Sequence, residues 1–189
     1  MAFETSPGGS QTRLAPSSQA FSRFAGMRIA LARKACEASV AVLNRILADT
    51  MTLRDLYKKY HWQASGAAFY VLHVLFDTHH EEQEELIDAI AERIQTLGGL
   101  SIAMAAEVAE TTTLARPPRN REEPSQQLAR LADAHKRVLY GVRAAARRAL
   151  EIGDDATHNL LAIDVIPVNE KQAWRLRTQL QRGSPSSGV

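Results

Sequence analysis

The 189-residue chain contains a single cysteine, Cys36, and this scarcity excludes a framework of disulfide bonds within the chain. Long apolar runs are also absent: no stretch reaches the roughly 18 residues of a membrane span, and the N-terminus lacks a basic start followed by an apolar segment. Charge of one sign is missing too, because 23 Lys and Arg stand against 21 Asp and Glu, so the chain as a whole is no polycation built for nucleic acid. We therefore expect a cytoplasmic protein with no membrane partner, in which any binding of DNA is local.

Both ends of the sequence have few large apolar residues. Residues 1 to about 20 are rich in Ser, Pro and Gly, as is the stretch from Arg182 onward, so neither segment can offset the entropy lost on ordering. Hydrophobic residues make up 45% of the chain, which is enough to fill one core. The expected organisation is a flexible tail over residues 1–24, one domain over 25–182 and a flexible tail over 183–189.

The body contains four stretches in which apolar residues return at helical spacing, and none that alternates like a strand. We expect helices from Phe24 to about Trp62, from about Ala67 to Leu97, from about Leu128 to near Gly153, and from a cap at Asp154 or Asp155 to about Gln181, with a kink at Pro167. About 25 residues, including a short apolar piece from Ile102 to Val108, separate the second helix from the third. This pattern predicts an all-α four-helix bundle with one long crossover and a short helix within it.

Histidines and carboxylates cluster around the second helix. His61 is followed by His73, Asp77, Asp88 and Glu92, and imidazole and carboxylate are ligands that iron accepts. At about 100° per residue, the last four share one face of the helix. They cannot share one metal ion within one helix, because the 11 residues from Asp77 to Asp88 rise about 16 Å.

A two-fold partner removes this difficulty. When two copies of a helix run antiparallel across a dimer interface, residues that face each other have residue numbers with a constant sum. The pairs His73 with Glu92 and Asp77 with Asp88 both have the sum 165. One axis near Glu82 and Gln83 therefore predicts two identical sites for each dimer, with His61 as a further ligand beside His73 and Asp77.

Simpler interpretations exist for each of these residues. Every one of them could belong to a solvated helix face, although that interpretation explains neither the shared face nor the equal sums. Glu81 and Glu84 have the same sum, and they either help to nucleate a ferric mineral or simply face water. For His79, His80 and Glu85 we expect side chains that face water.

The spacing H-W-x(10)-H-x(3)-D-x(10)-D-x(3)-E, present as His61-Trp62, His73, Asp77, Asp88 and Glu92, resembles the signature of the Dps miniferritins, the DNA-binding proteins from starved cells. The flanking DAIAERIQTLGG resembles the family as well, and a weaker likeness extends over about residues 25–182. The resemblance implies a ferritin-like bundle assembled through two-fold dimers into a dodecameric homo-oligomer with tetrahedral symmetry. It also implies ferroxidase centres at the dimer interface, where His61, His73 and Asp77 come from one subunit and Asp88 and Glu92 from its mate.

The same resemblance implies the chemistry. Fe(II) would be oxidised, with hydrogen peroxide favoured over dioxygen, and stored as a ferric oxyhydroxide core, which protects DNA and the cell from oxidative damage. Trp62 matches the family tryptophan beside the centre, where it would quench stray oxidising equivalents; plain packing is the alternative. Centres of the classical ferritin kind need Glu-x-x-His pairs, and no histidine of this chain has a Glu three residues before it.

Two further sites follow less directly. The segment DDATHNLL resembles the acidic lining of the family's three-fold pores, so Asp154 and Asp155 are candidates for guiding Fe(II) inward, with helix capping as the alternative role. For DNA, the candidate contacts are Arg13, Arg23, Arg177 and Arg182, multiplied by the copies in a cage. The competing functions are a nucleoid-associated protein that compacts DNA with the cage as a scaffold, and a four-helix interaction module that is a monomer or dimer.

Overall fold

The computed structural model describes residues 29–183, and every element within them is helical. Its elements are α1 (Arg33–Gln63), α2 (Phe69–Thr96), α3 (Ala105–Thr111), α4 (Pro124–Glu151), α5 (Asp155–Asn159), a π-helical turn (Leu160–Val165) and α6 (Ile166–Gly183). The last three elements are continuous and form the fourth long helix. The predicted all-α bundle with a short helix in the crossover is confirmed.

Helices α1 and α2 run antiparallel to each other, and so do α4 and the fourth long helix. The short connection after α1 turns at Gly66, whose φ of +76° lies in the left-handed region, and α1 then packs along α2 with Arg54 against Glu84 and His61 against His73. At the other end of α2, Gly99 lies so close to α1 that a Cβ atom there would meet the Val40 side chain at 2.6 Å. The predicted Gly98-Gly99 terminus of the second helix is therefore a point of close helix contact as well as a turn.

The long crossover of residues 97–123 runs along α1. The Asn44 side chain holds its first part by donating to the carbonyl of Leu100 and accepting from the N–H of Ile102. Asp49 then accepts three hydrogen bonds from Thr112 and Thr113, and Tyr60 donates to Glu122 at 2.7 Å. Since residues 44 to 60 span about 24 Å of helix, the crossover returns the chain along the length of the bundle, and α4 runs parallel to α2.

One predicted boundary changes, and π-helical geometry lies next to the predicted kink. The first helix was expected from Phe24, and this is wrong for residues 29–32: Ala30 has a φ of +56°, Ala32 is extended, and α1 begins only at Arg33. At the predicted kink, Pro167 has no N–H to donate and its ring crowds the preceding turn, and the helix takes π geometry directly before it.

The core lies between α1, α2, α4 and the fourth long helix and is apolar at both ends, with large fully buried side chains such as Leu47, Phe76, Leu131 and Leu176. Its middle is polar, as described below. Among the helices of residues 29–183, none has the length and apolar content that a membrane span requires.

Candidate metal centre

His61 and His73 lie against each other where α1 ends and α2 begins. Nδ1 of His61 is 3.0 Å from the backbone oxygen of His73, and Nδ1 of His73 is 3.0 Å from the backbone oxygen of His61. The rings stack with centroids 3.7 Å apart. Because a carbonyl oxygen only accepts, both Nδ1 atoms carry a proton, and Nε2 is the ring nitrogen left for a metal ion. Metal-binding histidines are held in this way, through the ring nitrogen that does not bind the metal.

This reciprocal pair follows from the position of the residues in their helices. The carbonyl of His61 belongs to the last turn of α1, where carbonyl oxygens have no donor within the helix. The imidazole of His73 supplies that donor from the second turn of α2. The two helix ends are thereby joined at the point where the two rings are presented.

Asp77 completes a group of three on the same side. Its Oδ1 lies 3.6 Å from Nδ1 of His61 and 2.7 Å from Nζ of Lys58, and its side chain is partly exposed. The hydrogen bond from Lys58 is the main cause that lowers the pKa of Asp77 below its ordinary value, so this carboxylate is charged at neutral pH. Lys58 uses one carboxylate oxygen and leaves the other available.

Asp88 and Glu92 are exposed on the same face of α2, three to four turns further along. The buried face of α2 carries Leu72, Phe76 and Ile90. Roughly opposite to it lies the predicted ligand face, which carries His73, Asp77, Asp88 and Glu92. Within residues 29–183 of one chain, no three His, Cys, Asp or Glu side chains converge closely enough to hold a metal ion. The structure thus brings His61, His73 and Asp77 into one neighbourhood and leaves Asp88 and Glu92 apart from them.

Known proteins resemble this chain in both fold and sequence. The family model described as a ferritin-like domain matches residues 40–184. An uncharacterised protein from the bpoA2 5′ region of Kitasatospora aureofaciens is 46% identical over 72% of this chain and 91% of its own length. The DNA protection during starvation protein of Agrobacterium fabrum is 28% identical over 77% of this chain and 89% of its own. The structure of DpsC from Streptomyces coelicolor, 46% identical, superposes with a TM-score of 0.81 and covers 85% of this chain and 92% of that one.

This chain belongs to the Dps miniferritins, within the ferritin-like superfamily. The family expected from the spacing of five side chains is confirmed.

Next to the histidine pair of this Dps chain, Trp62 is 72% exposed. Packing within its own subunit therefore does not account for it. Tyr70 and Val74 are exposed nearby on α2, at 74% and 45%. The ligand face is bordered by apolar side chains that have no partner in the described part of one chain.

The middle of the ligand face is acidic. Glu81 and Glu84 are exposed there, and Glu84 accepts from Arg54 at 3.0 Å, which offsets part of the repulsion expected at a two-fold axis. Glu82 and Gln83 instead turn toward α6, where Gln172 donates to Glu82 and accepts from Gln83. The register prediction therefore puts Glu81 and Glu84, rather than Glu82 and Gln83, at the surface nearest the axis.

Asp154 and Asp155 differ in the burial of their side chains. The carboxylate of Asp154 is buried and accepts from Arg93 at 2.6 Å, from Ser39 at 2.5 Å and from the N–H of Thr157 at 3.1 Å, so it caps the fourth helix. These contacts show the capping role that was the alternative for Asp154, and a role in the pore stays a prediction. Asp155 is exposed, so its side chain is the more accessible of the two predicted pore residues.

The DNA-contact candidates lie mostly outside the described part of the chain. Arg13 and Arg23 precede residue 29, and the side chain of Arg182 is likewise outside the described set. Arg177 is exposed on α6.

One feature of the site region is absent from the sequence predictions. His79, expected to face water, is fully buried, together with Gln83 one turn further along α2. The signal was available: residues 72, 76, 79, 83, 86 and 90 follow the helical period of the buried face, and two polar residues stand in that series. His80 is half-buried and Glu85 is exposed.

Proposed function

We propose that this chain binds Fe(II) at centres shared between two subunits of a dodecameric cage, oxidises it, preferably with hydrogen peroxide, and stores the product as ferric oxyhydroxide. The observation that carries the proposal is the reciprocal His61–His73 pair, in which backbone carbonyls hold both Nδ1 atoms and leave both Nε2 atoms for a metal ion, with the charged Asp77 next to His61. Two imidazoles and a carboxylate form a donor set suited to Fe(II).

The donor set of one chain is incomplete, and this supports a shared centre. Two antiparallel α2 helices with the register described above would bring Asp88 and Glu92 of the mate to His73 and Asp77. The exposed Tyr70 and Val74 on the same face would provide apolar contact between the subunits. Family membership supports the cage, since the Dps resemblance implies a dodecamer built from such dimers.

Each residue has a role that its surroundings support. The backbone carbonyls of α1 and α2 orient His61 and His73 through Nδ1, which leaves Nε2 of each ring for Fe(II). Lys58 keeps Asp77 ionised. Asp88 and Glu92 would add negative charge, which stabilises the iron as it gains positive charge on oxidation. The iron itself supplies the electrons that reduce the oxidant.

The proposed chemistry also accounts for protection of DNA. Consuming Fe(II) and peroxide together lowers the yield of hydroxyl radicals, whether or not the cage contacts DNA. The Agrobacterium relative is named for DNA protection, which agrees with this role.

The test is to mix the metal-free protein with Fe(II) and hydrogen peroxide and to follow ferric absorbance. A His73→Ala/Asp77→Ala variant should lose rapid oxidation while its native mass stays that of the wild-type cage. Glu85→Gln, which removes an exposed carboxylate of α2 outside the donor set, is the matched control and should oxidise iron at the wild-type rate. Wild-type rates in the double variant would refute the site, and a native mass of a monomer or dimer would refute the cage.

A further inference from the structure

The middle of the bundle contains a tyrosine held between two histidines. Tyr57 of α1 is fully buried, and its hydroxyl lies 2.5 Å from Nε2 of His135 on α4 and 3.0 Å from Nδ1 of His79 on α2. Nδ1 of His135 lies 2.9 Å from Oδ1 of Asn169 on α6. All four long helices thus contribute to one chain of hydrogen bonds, and the proposed metal centre uses none of them.

The direction of these hydrogen bonds follows from Asn169. Its Nδ2 donates to the carbonyl of Val165 at 2.8 Å, so its Oδ1 is the atom that faces His135 and accepts from Nδ1–H. A neutral His135 then has a bare Nε2, to which the Tyr57 hydroxyl must donate. The Tyr57 oxygen in turn accepts from Nδ1–H of His79, whose Nε2 has no partner among the described residues.

Burial fixes the protonation state from which any reaction starts. It raises the pKa of Tyr57 well above its ordinary value and lowers the pKa of His135 to about 3. At neutral pH the pair is therefore a phenol that donates to a neutral base. Such a phenol does not ionise by itself, and it can lose an electron only if its proton leaves with the electron.

The position of Tyr57 connects this pair to the proposed iron centre. Tyr57 is one turn before His61 on α1, about 6 Å along the helix axis. Its ring is 6.1 Å from that of Phe76, which is adjacent to Asp77 in the chain. Hydrogen peroxide needs two electrons for full reduction, whereas one Fe(II) gives only one, so an oxidation event that starts with a single Fe(II) leaves a strong one-electron oxidant.

We propose that Tyr57 is a redox partner of the iron centre, which gives an electron to that oxidant while its hydroxyl proton moves to Nε2 of His135. This inference rests on the proposed function. One Fe(II) and hydrogen peroxide give Fe(III), hydroxide and a hydroxyl radical. The hydroxyl radical takes an electron from Tyr57 and becomes a second hydroxide, leaving a neutral tyrosyl radical and a protonated His135. A second Fe(II) then returns an electron to Tyr57, and His135 returns the proton, so that two Fe(II) have reduced one peroxide to two hydroxides.

The chain offers a matched comparison in Tyr60. This tyrosine is also fully buried on α1, but its hydroxyl donates to the carboxylate of Glu122, which is itself paired with Arg130. Among residues 29–183, no imidazole forms a hydrogen bond with the Tyr60 hydroxyl. The chain has four tyrosines in all, so substituting Tyr60, Tyr70 and Tyr140 by Phe leaves Tyr57 as the only one.

The experiment is freeze-quench electron paramagnetic resonance of the cage after addition of about one Fe(II) per proposed centre and hydrogen peroxide, with ring-deuterated tyrosine to identify the radical. A tyrosyl signal should form in the wild type and persist in Tyr60→Phe/Tyr70→Phe/Tyr140→Phe. It should be lost in Tyr57→Phe and in His135→Gln, which keeps an acceptor but cannot take the proton. Spin-trapped hydroxyl radical should rise in Tyr57→Phe, and native mass should confirm an intact cage in each variant.

An undiminished tyrosyl signal in Tyr57→Phe, or none in the wild type while iron is oxidised, would overturn the proposal, because a role for the cluster in packing alone predicts no radical. If the wild type does not oxidise Fe(II) with peroxide, the proposed function fails instead. The triple variant can then be treated with a photo-oxidised ruthenium trisbipyridine complex and persulfate. A radical on its single tyrosine that disappears with His135→Gln supports the proton-coupled pair, and its absence overturns it.

Discussion

Acid should destabilise the fold through the two histidines at the bundle centre. Burial lowers the pKa of His79 to about 4 and that of His135 to about 3, whereas both have values of about 6.5 in the unfolded chain. The unfolded chain therefore takes up protons that the folded chain does not, and the stability is fully present above about pH 6.5 and is lost as the pH falls. At about pH 5 each histidine lowers the free energy of unfolding by about 2 kcal/mol, or about 4 kcal/mol together, since each pKa unit corresponds to about 1.36 kcal/mol.

The assay is urea unfolding followed by circular dichroism at about pH 7.5 and about pH 5, at one protein concentration because assembly also stabilises the chain. His135→Gln should remove about half of the difference between the two pH values. Tyr60→Phe, which removes a buried hydrogen bond without a histidine, should cost about 1 kcal/mol at both. Equal stability of the wild type at the two pH values, or an unchanged difference in His135→Gln, would refute the reasoning.

Two other outcomes follow from the described contacts. Asp154→Ala should lower the free energy of unfolding by about 3–5 kcal/mol, because it leaves Arg93 without its carboxylate and the fourth helix without its cap. Asp155→Asn should change the free energy of unfolding little. Thermal unfolding measures both variants, and equal effects would contradict the capping role of Asp154. If the cage binds DNA, plasmid retention in a gel should weaken steeply with salt and weaken further when residues 1–20 and 183–189 are deleted, and salt-insensitive binding after that deletion would exclude the tails as the contact.

The sequence predicted the helices well because their ends carry local signals. Glycines mark the ends of α1, α2 and α4, and Asp154 begins the fourth helix as a cap. The start of α1 was misplaced because Ile29 fits the helical period, while the backbone turn at Ala30 leaves no local apolar signal. Periodicity reports which residues could form a helix, and it does not report where the chain departs from one.

Only the part of the candidate site that lies on one helix could be predicted, because periodicity describes single helices. Spacing on one helix put His73, Asp77, Asp88 and Glu92 on one face, and the structure shows that this face is the outer one. Spacing could not show that His61 and His73 hold each other through their carbonyls, or that Lys58 binds Asp77, because these contacts join two helices. The hydrogen-bonded group of Tyr57, His79, His135 and Asn169 was not predicted. His79 was assumed to face water, although its position in the buried series of α2 argued against this.

The central claim is that each metal site is built from two chains, and an obligate mixed dimer tests it most directly. One subunit carries His73→Ala/Asp77→Ala and the other carries Asp88→Ala/Glu92→Ala, so each homodimer has only half-empty sites, while the mixed dimer keeps one complete site and loses the other. Peroxide-dependent Fe(II) oxidation in verified mixed dimers should return to about half of the wild-type activity per dimer. Mixed dimers no more active than either homodimer would contradict the shared centre.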